Sequence, residues 1–212
     1  MPLGSASVED AGTSRTVSGE ERVVEAALRC IARWGLAKTT LDDIAREAQC
    51  SRATVYRLFP GGKHSLIEVV GEHEVGRLLE RVSAAMSAST TVEQLVTDSL
   101  LAAASFLHDN EALGMIVRHE PEMLLPFVAF DRLDPILAET AALLAPLLER
   151  FCEPEASRDV VEWCVRLLMS YGFAPSPTVS LTDRDDVTRL VQTYVMPGIG
   201  TAVRPPDPLH TN

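Results

Sequence analysis

What this sequence lacks narrows its chemistry first. It has no run of 18 or more uncharged apolar residues to span a bilayer. Its opening, MPLGSASVEDAGTSRTVSG, has no basic-then-apolar build of a secretory signal, so a cytoplasmic location is expected. The four cysteines, Cys30, Cys50, Cys152 and Cys164, stand singly without C-x-x-C spacing. They indicate neither a zinc site nor a disulfide framework and read as small buried apolar residues. In GEHEVG, His73 lies between two glutamates but not as H-E-x-x-H, which reads as a solvated charged face rather than a metal site. No metal or cofactor is expected. Lysine is scarce too: 17 of the 19 basic residues are arginine, which reports genome composition and not mechanism.

What is present is enough for a folded core. At 212 residues with 46% apolar content, the chain can hold one large domain or a small one fused to a larger one. The net charge of -11 argues against nucleic acid until it is divided along the chain. Residues 1–64 carry nine basic and eight acidic side chains, net +1, whereas residues 65–212 carry ten basic and 22 acidic, net -12. That asymmetry fits a small region that meets phosphates and a larger one that avoids them, although a head at +1 is a faint basic footprint.

The periodicity predicts an all-α protein, with no competing alternating β pattern. Residues 1–17 are poor in large apolar groups and are expected to be disordered. Ser18-Gly-Glu-Glu21 has capping-box spacing before a first helix over about 19–34, which Gly35 stops. Thr40 with Asp43 makes a second capping box, and Leu41, Ile44, Ala45 and Ala48 form one apolar face of a short helix ending near Gln49. Ser51 caps a third helix, 52–58, which Phe59-Pro60-Gly61-Gly62 terminates. Val55 and Leu58 can face inward there, leaving Arg52, Ala53, Thr54, Tyr56 and Arg57 outside. Small residues allow such a helix to enter a major groove about 12 Å wide, where arginine pairs bidentately with guanine. The hydroxyls of Thr40, Ser51 and Tyr56 and the amine of Lys63 suit phosphate oxygens.

The pattern T-x-x-D-I-A-x-x-A, S-x-x-T-x-Y-x-x-F, then K-x-x-L is carried by Thr40, Asp43, Ile44, Ala45, Ala48, Ser51, Thr54, Tyr56, Phe59, Lys63 and Leu66. It resembles the DNA-binding domain of the TetR family of one-component bacterial repressors. The resemblance implies that Thr40, Tyr56 and Lys63 anchor the sugar-phosphate backbone while Arg52, Ala53, Thr54 and Arg57 lie where bases are read. Two positions depart from the family pattern. Gln49-Cys50 replaces a Gly-Val turn, so a non-glycine residue is expected to take positive φ, and His64 replaces the usual acidic residue.

A fourth helix over about 62–85 is interrupted by Gly71 and Gly76, where it is expected to bend; the resemblance makes it the lever moved by ligand. After a loop at 87–91, five more helices are expected: 92–108, 111–118, 122–149 with a break near 131–135, 155–172 and 183–196. The domains are then a segment 1–17, a helix-turn-helix head 18–64, a ligand-binding and dimerisation body 65–203 and a Pro-rich tail 204–212. Helices apolar on more than one side need a second partner, which marks Val161, Val165, Leu168, Leu190, Val191 and Tyr194 for a homodimer interface. The resemblance likewise places a four-helix dimer contact at the last two long helices. A two-fold dimer sets two reading helices one DNA turn apart on a palindromic operator. Phe106, Met115, Phe127, Phe130, Trp163 and Tyr171, with Arg118 and His119, are candidates for a mostly apolar ligand cavity, against the plainer reading of an ordinary helical core. In RHEPE, 118–122, His119 with Glu120 or Glu122 could act as acid and base, but no nucleophile, phosphate loop or metal spacing accompanies them. The expected function is a DNA-binding repressor released by a small apolar ligand. The alternative is a helical ligand-binding protein or enzyme whose head makes protein contacts.

Overall fold

The structure, a computed structural model, describes residues 18–123 and 133–199. The expectations for residues 1–17, for Phe127 and Phe130 and for the tail from 204 lie outside them. Every regular element among the described residues is helical.

Local chemistry sets the boundaries of the first three helices. Helix α1, Gly19–Trp34, starts where the Ser18 hydroxyl accepts the Glu21 amide at 3.0 Å. It stops at Gly35, whose φ of 85° lies where a side chain is strained. Helix α2, Leu41–Glu47, carries a complete capping box: the Asp43 amide donates to Thr40 Oγ1 and the Thr40 amide to Asp43 Oδ2, both at 3.2 Å. The Thr40 hydroxyl also donates to that carboxylate and, with the Thr40 amide and the Arg46 guanidinium, holds the Asp43 carboxyl below its ordinary range. Helix α3, Arg52–Leu58, begins at Ser51, whose hydroxyl accepts the Thr54 amide at 3.1 Å. Between α2 and α3, Gln49 adopts a φ of 54°, the only positive value among the described non-glycine residues and the one anticipated for this turn.

These helices close on one core. Val23, Val24, Ala27 and Cys30 of α1 pack against Leu41, Ile44 and Ala45 of α2 and Val55 of α3. Full burial of side chains such as Ile44 and Val55 contributes about 1.5–3 kcal/mol each. Helix α4, Lys63–Ala88, belongs to both halves of the molecule: Leu66 and Val70 complete the head core, while Val82 and Met86 enter the core of the body. It continues as one helix through Gly71 and Gly76. At its C-terminal end the Arg150 guanidinium donates to the Met86 and Ser89 carbonyls, supplying positive charge where the last turn has no basic residue.

The body comprises α5, Val92–Asp109; α6, Glu111–His119, followed by a short 3-10 turn Pro121–Met123; α7, Leu133–Leu148; α8, Pro154–Phe173; and α9, Arg184–Leu190. A π-helical stretch, Val191–Val195, continues α9 into α10, Met196–Ile199. Helix α7 begins at Leu133, with Pro135 in its first turn, where an amide has no intrahelical acceptor to lose; the stretch 124–132 before it, where the break is expected to begin, lies outside the described residues. One expectation changes here. The last helix is not a uniform 183–196 segment: its stretch Val191–Val195 is π-helical, with Val191 and Val195 both buried.

The turn at Gln49 stores strain of about 1 kcal/mol or more in a left-handed conformation. Gln49→Gly should therefore raise the stability of the chain by about 0.5–1 kcal/mol in urea denaturation, and Gln49→Val should lower it. A loss of stability in the glycine variant would show that the turn is not strained.

Candidate nucleic-acid interface

Helix α3 is presented to solvent by the two helices beneath it. Val55 is fully buried and Leu58 half-buried, leaving Arg52, Ala53, Tyr56 and Arg57 exposed on one surface with Thr54 at its margin. Arg52 is already oriented: its guanidinium donates to Tyr56 Oη at 3.3 Å and to Asp42 Oδ2 at 3.1 Å, and lies 5.4 Å from the Tyr56 ring centre. The Tyr56 hydroxyl and then the Asp42 charge hold its pKa above the usual arginine range. Arg57 makes no hydrogen bond or ion pair among the described residues.

The four expected phosphate contacts are placed differently from one another. Tyr56 keeps an exposed ring beside Arg52, but Thr40 and Ser51 are occupied by capping, the Ser51 hydroxyl also sharing a 2.9 Å hydrogen bond with that of Thr54. Lys63 is half-buried, and its Nζ donates to the carbonyls of Leu36 at 2.6 Å and Ala37 at 3.3 Å. Lys63 thus ties the start of α4 to the loop between α1 and α2. Its spacing in the sequence gave no sign of that bond.

The same loop is gripped from the opposite side by the body. Glu120, at the end of α6, accepts the Leu36 amide on Oε2 at 2.6 Å and the Ala37 amide on both oxygens at 3.2 Å. A Cβ on Gly35 would stand 2.6 Å from Glu120 Oε1, so the carboxylate requires glycine there as well as the positive φ. Apolar packing surrounds the contact: Ile31 of α1, Leu36 of the loop and Ala112 of α6 are buried together, with Ile67, Ile116 and Met123 against them. No hydrogen bond or ion pair among the described residues joins His119 to Glu120 or Glu122, the contact that the rival acid–base reading of this stretch would use.

Helix α6 also borders a cavity of about 690 Å³ inside the body, between α4, α5, α7 and α8. Of the ligand candidates, Arg118 and Tyr171 line it, whereas Phe106, Met115, His119 and Trp163 do not. Phe106 is instead buried at a second, smaller crevice between α1 and α5, with the Arg77 guanidinium 5.8 Å from its ring. Trp163 faces outward on α8, and His119 is exposed. The walls are aliphatic rather than aromatic, with Leu79, Leu100, Leu144 and Val161 among them, which is why a search for aromatic residues missed most of them. Cys164 turns what exposure it has toward this cavity, and burial pushes its thiol up to about 12, so it acts as a neutral wall.

The residues marked for a dimer face divide in the same way. Val161, Leu190 and Val191 are buried in the chain's own core, and Val165 and Leu168 pack on it and line the cavity. Tyr194 alone of the six is exposed, at 70%. The second apolar side of these helices is thus satisfied within one chain, by α5 and by the cavity.

A helix-turn-helix head joined by a shared helix to a cavity-bearing helical body defines a DNA-binding regulator. The model of the bacterial regulatory proteins of the tetR family matches residues 23–70, which makes the head a DNA-binding domain of the tetR type. Solved structures with this fold include the TetR family repressor AlkX from Dietzia sp., implicated in biodegradation of n-alkanes, with a TM-score of 0.66 at 16% identity over 88% of this chain and 98% of AlkX. The multidrug binding protein EbrR complexed with imidazole aligns with a TM-score of 0.60 at 18% identity over 91% of this chain and 98% of EbrR. A TetR-like transcriptional regulator from Rhodococcus sp. RHA1 gives 0.55 at 19% identity over 86% and 96%. Comparison with curated proteins yields no significant match. Among the described residues, no helix is long and apolar enough to cross a membrane, and no cluster of side chains could hold a metal ion.

The two basic residues flanking the turn after α3 should behave oppositely in melting experiments. Lys63→Ala removes a charged donor from two loop carbonyls and should lower stability by about 1–2 kcal/mol. Arg57→Ala, without a partner among the described residues, should stay within about 0.5 kcal/mol of the parent. Equal melting temperatures for Lys63→Ala and the parent would count against the loop tie.

Proposed function

We propose that this regulator is a homodimeric repressor that leaves a palindromic operator when a small, largely apolar molecule occupies the body cavity. The observation that carries this reading is the double attachment of α6. Leu113, Gly114 and Val117 of that helix border the cavity, and Glu120 at its end holds the loop before α2. A ligand that binds better when α6 is displaced necessarily favours a displaced loop, and only that difference in affinity can shift the population. The apolar character of the ligand is supported by the aliphatic walls and by the names of two fold relatives, one implicated in n-alkane biodegradation and one a multidrug binding protein.

In this reading Arg57 and Arg52 contact base edges, while Ala53 and Thr54 permit close approach. Tyr56, Thr40, Ser51 and the remaining N–H of Lys63 meet phosphates. The second copy docks against the outer side of α8 and the π-helical stretch, where Trp163 and Tyr194 are exposed, and spaces the heads by about 34–36 Å.

Fluorescence anisotropy with DNA from upstream of the chain's own gene tests the reading. The expected result is salt-sensitive, sequence-selective binding of two chains per site, weakened about ten-fold or more by Arg57→Ala at the preferred sequence. Absence of selective binding would favour a ligand-binding protein or enzyme whose head contacts protein. The mechanical part is checked separately by hydrogen exchange. Glu120→Ala should accelerate exchange of the Leu36 and Ala37 amides by about 10–100-fold while leaving α5 unchanged.

A further inference from the structure

We infer that the body cavity is built for an aliphatic chain ending in one anionic head, with the head held by Arg118. The inference rests on the cavity being the effector site. The body is strongly acidic: residues 65–212 carry 22 acidic side chains. Yet no aspartate or glutamate is among the described residues that line the cavity. Its ionisable lining among the described residues consists of Arg118, His108, Tyr171 and the neutral Cys164.

The deep walls include Met86, Leu95, Leu148 and Val160, all fully or almost fully buried, and suit an aliphatic chain. Most lining hydroxyls are already used locally. Ser99 donates to the Leu95 carbonyl, Ser180 pairs with Thr182 at 2.9 Å, and Ser176 accepts the Thr178 and Val179 amides, both at 3.2 Å. Arg118 is different, because it has no hydrogen-bond or ion-pair partner among the described residues. Its guanidinium folds back along α6 to lie where a side chain on Gly114 would be, 3.0 Å from the position of a Cβ there. Both residues line the cavity, so glycine opens a notch that brings the cation to the cavity wall. Arg118 is itself exposed and therefore stands at the opening, a placement that lets the head stay near water while the tail is buried. A cationic amphiphile would find no carboxylate to pair with among the described lining residues. A neutral one would leave the guanidinium without a charged acceptor.

The test is calorimetric titration of the full chain without DNA, using dodecanoate, dodecyl phosphate, 1-dodecanol and dodecylammonium below their aggregation concentrations. Either anion should bind about ten-fold or more tightly than the alcohol, and the cation should bind least; the two anions distinguish a carboxylate head from a phosphate. Arg118→Gln should bring anion and alcohol to within about two-fold of each other and leave the alcohol unchanged. Gly114→Ala, which favours the helix and so cannot fail through loss of folding, should reduce the same preference by displacing the guanidinium. Equal binding of acid and alcohol, preference for the cation, no binding of any probe, or an unchanged preference in Arg118→Gln would each overturn the assignment. DNA affinity is read in a separate assay. Failure here would leave operator binding standing, and loss of operator binding would leave an anion-selective cavity standing.

Discussion

The molecule depends on one carboxylate. Glu120 supplies acceptors to the amides of Leu36 and Ala37, in a loop that belongs to no helix and in which Leu36 is buried. A buried amide without an acceptor costs about 1–3 kcal/mol, so the loop has no comparably stable position away from α6. Lys63 holds the carbonyls of the same two residues, which leaves their backbone groups paired on both sides. Thr39 and Thr40 follow immediately. Thr39 is buried with its hydroxyl on the Gly35 carbonyl at 2.6 Å, and Thr40 caps α2. The direction of α2, and of α3 packed on it, is therefore set from a point in the body.

That arrangement explains why the head and body do not separate at a linker. Leu66 and Val70 lie in one core and Val82 and Met86 in another, along a single helix about 39 Å long. The cluster of Ile31, Leu36 and Ala112 fills the angle between α1 and α6. Two connections thus reach the head from the body, α4 through its first turns and α6 through Glu120. Because close-packed interfaces shift between discrete arrangements rather than deform continuously, movement of α6 relative to α4 changes the head as a unit.

How much of this is legible in the sequence follows from the range of the interactions. The caps at Ser18, Thr40 and Ser51, the stop at Gly35 and the strained turn at Gln49 are contacts within a few residues, and the pattern shows them directly. The tie between Glu120 and Leu36 spans 84 positions, and the Lys63 tie spans 27. In RHEPE, Glu120 has the same local appearance as Glu122, and only the folded chain separates them. The apolar faces of α8 and α9 are ambiguous for a related reason. Periodicity reports that Val161, Leu190 and Val191 are buried, but whether a neighbour in the same chain or a second copy buries them is a tertiary fact. Candidate cavity residues were sought among aromatics, whereas the lining comes mainly from Leu, Val and Ala positions that look the same as ordinary core.

The faint charge of the head acquires a physical sense from the surface of α3. Asp42 and the Tyr56 hydroxyl hold Arg52 in place, so a bare phosphate must compete with an ion pair that already exists. A guanine edge that offers two acceptors in the plane of the guanidinium is a better competitor than a single, mobile phosphate oxygen. In the proposed reading, the acidic residue beside the reading helix lowers affinity for all DNA and lowers it least for the matching sequence. Such a head gains little from bulk attraction. In that same reading its occupancy of DNA depends on two copies held at the correct spacing, the quantity that the Glu120 contact, two helices away from the proposed DNA surface, would control.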